Sequence, residues 1–355
     1  MDKTFSILLD LTRFLAALLV FFHHAEQILK DKRLSPIASF GHDAVIFFFI
    51  LSGFVIGYVS KHKEKNIIDY SIARLVRIYS VALPSLVLVY ALYLLGNQLF
   101  PQVYIDYTNL SWAKIFLSSV FFLNQSQWWG ITVPTNGPYW SICYEVWYYA
   151  IFGVAYYVTG YKKYIFLSIA ILSAGFKILL LMPIWLLGLL CFTNHQKLTA
   201  SKPIGYLLIT LSTACYFGMR YANFDDAIVH HSVNIVGGEE KANELLGYSK
   251  RFASDYMIAV LFILFFSGIY IIRDNFERVA LLCQRGIKLL SSYTFSLYLY
   301  HFPILLFLSA LTDSSFLVMS VCLTLIGLLG NYSERKKYVM TAFLKILLNS
   351  TRRTA

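Results

Sequence analysis

Long apolar stretches separated by short polar ones recur along the whole chain. They fall near residues 6–29, 43–60, 76–97, 111–124, 139–160, 163–180, 184–195, 203–221, 254–273, 291–310 and 315–333. An α-helix of about 17–25 apolar residues crosses a bilayer core. Only helices and closed barrels satisfy their backbone there. The pattern predicts an all-α polytopic membrane protein. Segment 111–124 is short and runs into the polar, Trp-rich stretch NQSQWWGITVPTNGPYW. It is expected to be re-entrant or interfacial, buried in protein or lining a cavity. About ten transmembrane helices remain.

The loops set the orientation. Lys61, Lys63, Lys65, Arg74 and Arg77 make one basic cluster, and Arg273, Arg278, Arg285 and Lys288 make another. Lys162 with Lys163, Lys197 with Lys202, and the tail from Arg335 to Arg353 are also basic. The positive-inside rule places all of these in the cytoplasm, with both termini there and the chain in the cell (inner) membrane. Lys30, Lys32 and Arg33 are the exception, since they then lie outside. Two long outer regions follow, 98–138 and 222–253. The second holds Asp225, Asp226, His230, His231, Glu239, Glu240 and Glu244, read as solvated loop residues. One domain is expected over 1–333, then a short basic cytoplasmic tail at 334–355, with no fused soluble domain.

Composition narrows the function. Of 355 residues, 58% are hydrophobic and 14% charged, against about 25% charged in soluble domains. A net charge of +11 would point to nucleic acid only if a basic soluble domain carried it, and none is visible. The five cysteines are scattered, with no CxxC and no His/Cys spacing for a metal. They read as packing residues, and neither a metal nor a bound cofactor is expected. The first segment is too long, and with Asp10 and Arg13 too charged, for a cleaved signal peptide.

Charged groups at mid-bilayer cost about 2.5–3.5 kcal/mol on insertion scales, so each one inside a span needs a reason. The first span contains RFLAALLVFFHH, Arg13 to His24. Eleven residues make three turns plus about 20°, so Arg13 and His24 share a helix face about 16 Å apart in depth. Asp10 lies on that face too, placed to pair with Arg13. An ion pair with a packing histidine explains the helix about as well as a functional role does. His23, about 100° away, is read as packing.

The second span opens at Asp43 and is interrupted by Ser52 and Gly53. Close helix packing and a ligand channel account for it equally. Arg74 and Arg77 are three apart on one face. A topology-setting cluster is favoured there over a guanidinium fork for phosphates. Glu145, in PYWSICYEVWYY with Trp140 and Ser141, lies about one to two turns inside the outer boundary. It needs a partner or a watery cavity, and function is favoured. In SYTFSLYLYHFPILL, Pro303 frees backbone groups that His301 or a neighbouring helix would satisfy. That structural role is at least as good a reading as catalysis.

Six stretches in order carry a resemblance: LDLTRFLAALLVFFHH, FFFILSGFVI, RLVRIYS, YWSICYEVWYY, MPIWLLGLL and SYTFSLYLYHFP. Over residues 8–305 they resemble the integral-membrane acyltransferase 3 family. The resemblance implies a membrane O-acyltransferase that moves an acyl group from cytosolic acyl-CoA, acetyl-CoA by default, to a hydroxyl of an extracytoplasmic glycan or glycolipid. It implies His24 as the catalytic residue, acting as general base or as acyl-carrying nucleophile. Glu145 is expected to be the outer-side acid that orients His24 or holds the acceptor, with Asp43 second. Arg13, Arg74, Arg77 and Ser52 are implied donor-binding residues, and Asp10, Asp43, Trp140, Ser141 and His301 supporting ones. Trp128, Trp129 and Trp140 stack on sugars or form an interfacial belt.

Two positions depart from the family pattern. Pro183-Ile184-Trp185 stands where the family has a glutamate, and Ser80 stands where it has proline. The expected partners are membrane lipids, acyl-CoA and the acceptor, with no nucleic acid. The rivals are a transporter or flippase and a non-catalytic membrane sensor. Without the resemblance, the residues reach only a polytopic membrane protein with a functional polar interior. Neither acceptor nor oligomeric state is legible.

Overall fold

The structure, a computed structural model, describes residues 2–107, 111–195, 200–334 and 339–342. Among them all regular structure is helical. In chain order the main helices are α1 (Lys3–Leu29), α2 (Gly41–His62), α3 (Ile67–Leu99), α4 (Trp112–Val120), α5 (Tyr139–Tyr157), α6 (Tyr161–His195) and α7 (Lys202–Tyr221). They continue with α8 (Phe224–Val236), α9 (Glu239–Leu245), α10 (Phe252–Ile271), α11 (Glu277–Ser291), α12 (Thr294–Ser309) and α13 (Ser315–Ser333). Of the expected tail at 334–355, residues 335–338 and 343–355 lie outside the described residues.

Local chemistry starts and stops these helices. The Asp2 carboxylate accepts from the Phe5 backbone N–H and caps α1, satisfying a donor that has no partner within the helix. Asn66 caps α3 by accepting from Ile68 and Asp69. α1 ends where Lys30 turns left-handed, at φ 54°.

Among the described residues, six helices are long and apolar enough to cross a membrane, rather than the expected ten. They are α1, the Lys32–His62 stretch containing α2, α3, α6, α10 and α13. The shortfall has physical causes. α5 is rich in tyrosine, α7 carries cations near both ends, and α12 is apolar but shorter. The segments expected at 163–180 and 184–195 also form one element, α6.

The break in α6 sits at Gly175 and not at 180–184. Gly175 has φ 79° and ψ 173°, a conformation open to glycine and costly for other residues. Just before α6, the Tyr157 hydroxyl donates to the Glu64 carbonyl. Near the break, the Gln127 N–H donates to the Ser173 carbonyl. At the far end Phe192 packs on Tyr58 and His62. Both ends of α6 therefore lie by the Tyr58–Glu64 end of α2, here called the basic end, and the chain turns back at Gly175.

Segment 111–124 forms the short α4 and leads into a packed, irregular stretch. The Phe122 carbonyl accepts from the Trp147 indole, the Ser119 carbonyl from Tyr139, and the Ile131 carbonyl from the Gln125 amide. Its polar backbone is held by protein, the condition for non-helical chain at membrane depth. The expected loop at 222–253 is largely helical, as α8 and α9, broken by Gly237 and Gly238 at positive φ.

Candidate functional site

α1 and α12 define the centre of the bundle. Near the basic end, the Arg13 guanidinium donates to the Ser291 carbonyl at 3.0 Å and lies 3.5 Å from Asp10. Further along, the rings of His24 and His301 approach, with nitrogens 3.0 Å apart. Arg13 and His24 are about 16 Å apart along α1, and their partners Ser291 and His301 lie at the end of α11 and within α12. The two segments run side by side in the same direction. The single face expected for Arg13 and His24 is the face toward this partner.

The histidine pair has a defined hydrogen-bond order. His301 is fully buried, and its Nδ1 lies 2.8 Å from the Leu297 carbonyl. That nitrogen must donate, so in the neutral ring Nε2 carries the lone pair. His24 Nδ1 faces both this Nε2 and the Val20 carbonyl, at 3.0 Å each. It too must donate, which leaves His24 Nε2 as the unprotonated nitrogen.

Pro303 does not depend on the histidine. The carbonyl it frees, that of Leu299, accepts from Ser85 and from the Asn136 amide, each at 3.1 Å. His23 is tied to the Ala38 carbonyl and to Gln27, a structural role.

A cavity of about 530 Å³ lies alongside α1, α2 and α3. Arg13, Arg77 and Lys288 line it together with Asp10, Glu145 and Glu334. Its apolar wall includes Val45, Phe48, Phe49, Leu51 and Val55. Tyr298 and Ser141 also line it, their hydroxyls 2.6 Å apart, and the Tyr298 ring centroid is 6.4 Å from that of His301. A second cavity, about 520 Å³, is lined by Asp106, Tyr107, Lys114, Thr132, Thr135 and Phe302 among others. The Phe302 ring lies 5.2 Å from that of His24. The histidine pair thus stands between two cavities, one aromatic side chain from each.

Several expected residues sit elsewhere than the sequence suggested. Glu145 is not the partner of His24. Its carboxylate accepts from Ser52 at 2.6 Å and from Tyr149, and lies 3.8 Å from Arg77. The α5 face bearing it packs toward the cation-lined cavity. Arg74 does not join Arg77 in a fork. It pairs with Glu64 at 2.5 Å and stacks over Tyr70 and Tyr149, while only Arg77 lines the cavity. Burial raises the Glu64 carboxyl above the ordinary carboxylate value, and Arg74 pulls it back down.

Asp43 accepts from Tyr216 and lies 4.0 Å from Arg220, on the α7 side of α2 rather than beside His24. Trp140 stacks on Tyr248 with centroids 4.8 Å apart, so its face is taken. Trp128 is exposed, and Trp129 carries Lys114 over its ring.

Sequence reading assigned no site role to Tyr149, Lys288, Tyr298, Phe302 and Trp185. Tyr149 is four residues after Glu145, a helical neighbour by spacing alone. Trp185, next to Ile184 at the family's glutamate position, donates its indole N–H to Ser52 at 3.1 Å and completes the network around Glu145.

The family model described as an acyltransferase domain matches residues 7–333, nearly the whole chain. No curated protein and no solved structure matches it.

Proposed function

We propose that this chain, which belongs to the acyltransferase 3 family and is a membrane O-acyltransferase, draws an acyl-CoA thioester into the cation-lined cavity and passes its acyl group to an acceptor hydroxyl entering from the other side. The observation that carries this reading is the position of the His24–His301 pair between two cavities, the larger lined by Arg13, Arg77 and Lys288. Acetyl is the default acyl group, and a glycan or glycolipid the acceptor. We place the basic end in the cytoplasm and count ten crossings: α1, α2, α3, α5, the two halves of α6, α7, α10, α12 and α13.

The chemistry follows from the ring order. His24 Nε2 takes the proton of the acceptor hydroxyl as its oxygen attacks the thioester carbonyl. The carbon–sulfur bond then breaks, and the thiolate leaves with the proton returned from His24. His301 holds Nδ1 of His24 as a donor throughout and disperses the positive charge that His24 gains. The phosphates stay among the cations, where Arg13 and Arg77 offer charge-assisted hydrogen bonds. Depth fits as well, since the roughly 16 Å between Arg13 and His24 is within reach of an extended thioester arm.

The test is thioester consumption by the purified protein in lipid nanodiscs, with release of free CoA thiol and acylation of an added glycan. A transporter moves solute and consumes no thioester. Within this assay Arg77→Ala is expected to raise the donor KM about ten- to hundredfold, the worth of a hydrogen bond to a charged group, with the acceptor KM unmoved. Arg74→Ala should instead lower the yield of folded protein, because it strands the buried Glu64 carboxylate. Equal loss of donor and acceptor affinity in Arg77→Ala would refute its assignment to the donor.

A further inference from the structure

Among the described residues, Arg278 and Arg285 of α11 make no ion pair, whereas Arg33, Arg74, Arg220, Arg251 and Arg273 each have a carboxylate. Lys288, on the same helix, acts on the Asp10 carboxylate across the cavity wall. At 100° per residue α11 presents three faces. Ala280, Ile287 and Ser291 are buried, the first two against Ile7 and Leu11 of α1. Val279, Leu282, Leu289 and Leu290 make an exposed apolar stripe. Arg278, Arg285 and Lys288 fall within about 80° of one another on the third face, which the partly exposed Leu281 shares. A helix built this way lies along a membrane surface with its apolar stripe in the acyl chains.

The cationic face is continuous with the cavity, because Lys288 lines it. Along the axis Arg285 stands about 4.5 Å from Lys288, and Arg278 about 15 Å. Within the cavity Arg13, Arg77 and Lys288 already face carboxylates. Arg278 and Arg285 do not line it, and they stand where the anionic end of a ligand longer than the cavity would project.

We propose that this face of α11 extends the phosphate site of Arg13 and Arg77 to the nucleotide end of the donor, Lys288 sharing the pyrophosphate with them and Arg285 taking the ribose 3′-phosphate of the acyl-CoA. The assignment rests on the acyl-CoA reading of the donor. It suits the residue types, since arginine presents a planar fork that matches a terminal phosphate and lysine acts as a point charge. Arg278 adds charge from further out along the same face.

The experiment compares wild type and Arg285→Gln in nanodiscs, with acyl-CoA and with its 3′-dephospho analogue as donors. Wild type should lose affinity about tenfold when the 3′-phosphate is removed. Arg285→Gln should show the same KM rise for acyl-CoA and none for the dephospho donor, and Arg285→Lys should recover part of the loss. An equal effect of Arg285→Gln on both donors, or none on either, overturns the site.

Lipid headgroups offer the same phosphate chemistry. The assay is therefore run in phosphatidylcholine alone and with phosphatidylglycerol added. An Arg285→Gln effect that appears only with the anionic lipid, alike for both donors, assigns the face to headgroups and overturns the proposal. A wild type that consumes neither thioester sinks the donor reading, and this site with it. Wild-type turnover with an indifferent Arg285→Gln sinks the site alone.

Discussion

His24→Ala is expected to stop acyl transfer while leaving the amount of protein in the membrane unchanged. The ring lies against Phe302, which lines the second cavity, and its Nε2 is the one nitrogen of the pair left without a proton or a partner. Loss of a positioned base lowers kcat by about 10²–10⁴-fold. Loss of a nucleophile that carries the acyl group leaves no route at all. Purified variant and wild type assayed for CoA release check the first point. The two chemistries are then separated with wild type alone, mixed with acyl-CoA and no acceptor. A burst of one thiol per protein, with an added acyl mass on the chain, marks the nucleophile, and no burst marks the base. The half-buried position of His24 on α1, which packs against α2 as well as α12, makes alanine tolerable there. A variant that is present at normal levels and still transfers acyl groups ends the role assigned to His24.

Much of this site was legible because a helix fixes its own geometry. The spacing from Arg13 to His24 requires a shared face, and in the structure both residues meet the one segment from Ser291 to His301. What spacing does not contain is the partner. Arg74 and Arg77 share a face in sequence terms, yet Glu64, in the turn before α3, captures one of them. Glu145 was assigned to the outer side from its place near the start of a span. The packing of α5 against α2 and α3 instead sets it among Ser52, Tyr149 and Arg77, toward the donor end. The break in α6 shows the same limit. Pro183 advertised an interruption near 180–184, but a proline within a membrane helix is tolerated when neighbours take up the freed carbonyl, while Gly175, unremarkable in an apolar run, holds the backbone value that turns the chain.

Gly188→Ala is expected to cost more stability than the addition of one methyl group suggests. A Cβ at Gly188 would stand 1.9 Å from the Ile50 carbonyl oxygen, and one at Gly53 would stand 2.0 Å from the Trp185 carbonyl oxygen. The two glycines let α2 and α6 touch backbone to backbone, as small residues do where membrane helices pack. Overpacking usually costs about 1–3 kcal/mol. Here the obstacle is main chain, which has no rotamer to yield, so the cost should reach about 3 kcal/mol or exceed it. The site would feel the same displacement. Trp185 donates to Ser52, and Ser52 donates to Glu145, so moving α6 off α2 pulls at the network beside Arg77. Thermal unfolding of the detergent-purified variants measures the first effect, and donor KM in the surviving fraction the second. Gly327→Ala is the control, because nothing lies within 4 Å of its Cβ. Alanine within a helix and free of contacts should be neutral or slightly stabilising. Equal losses at Gly188 and Gly327 would mean that the α2–α6 contact is not what the glycines serve. A loss confined to Gly53 and Gly188 means that the interruption at Ser52-Gly53 serves two ends at once, with the glycine closing the helix contact and the serine turned to the cavity.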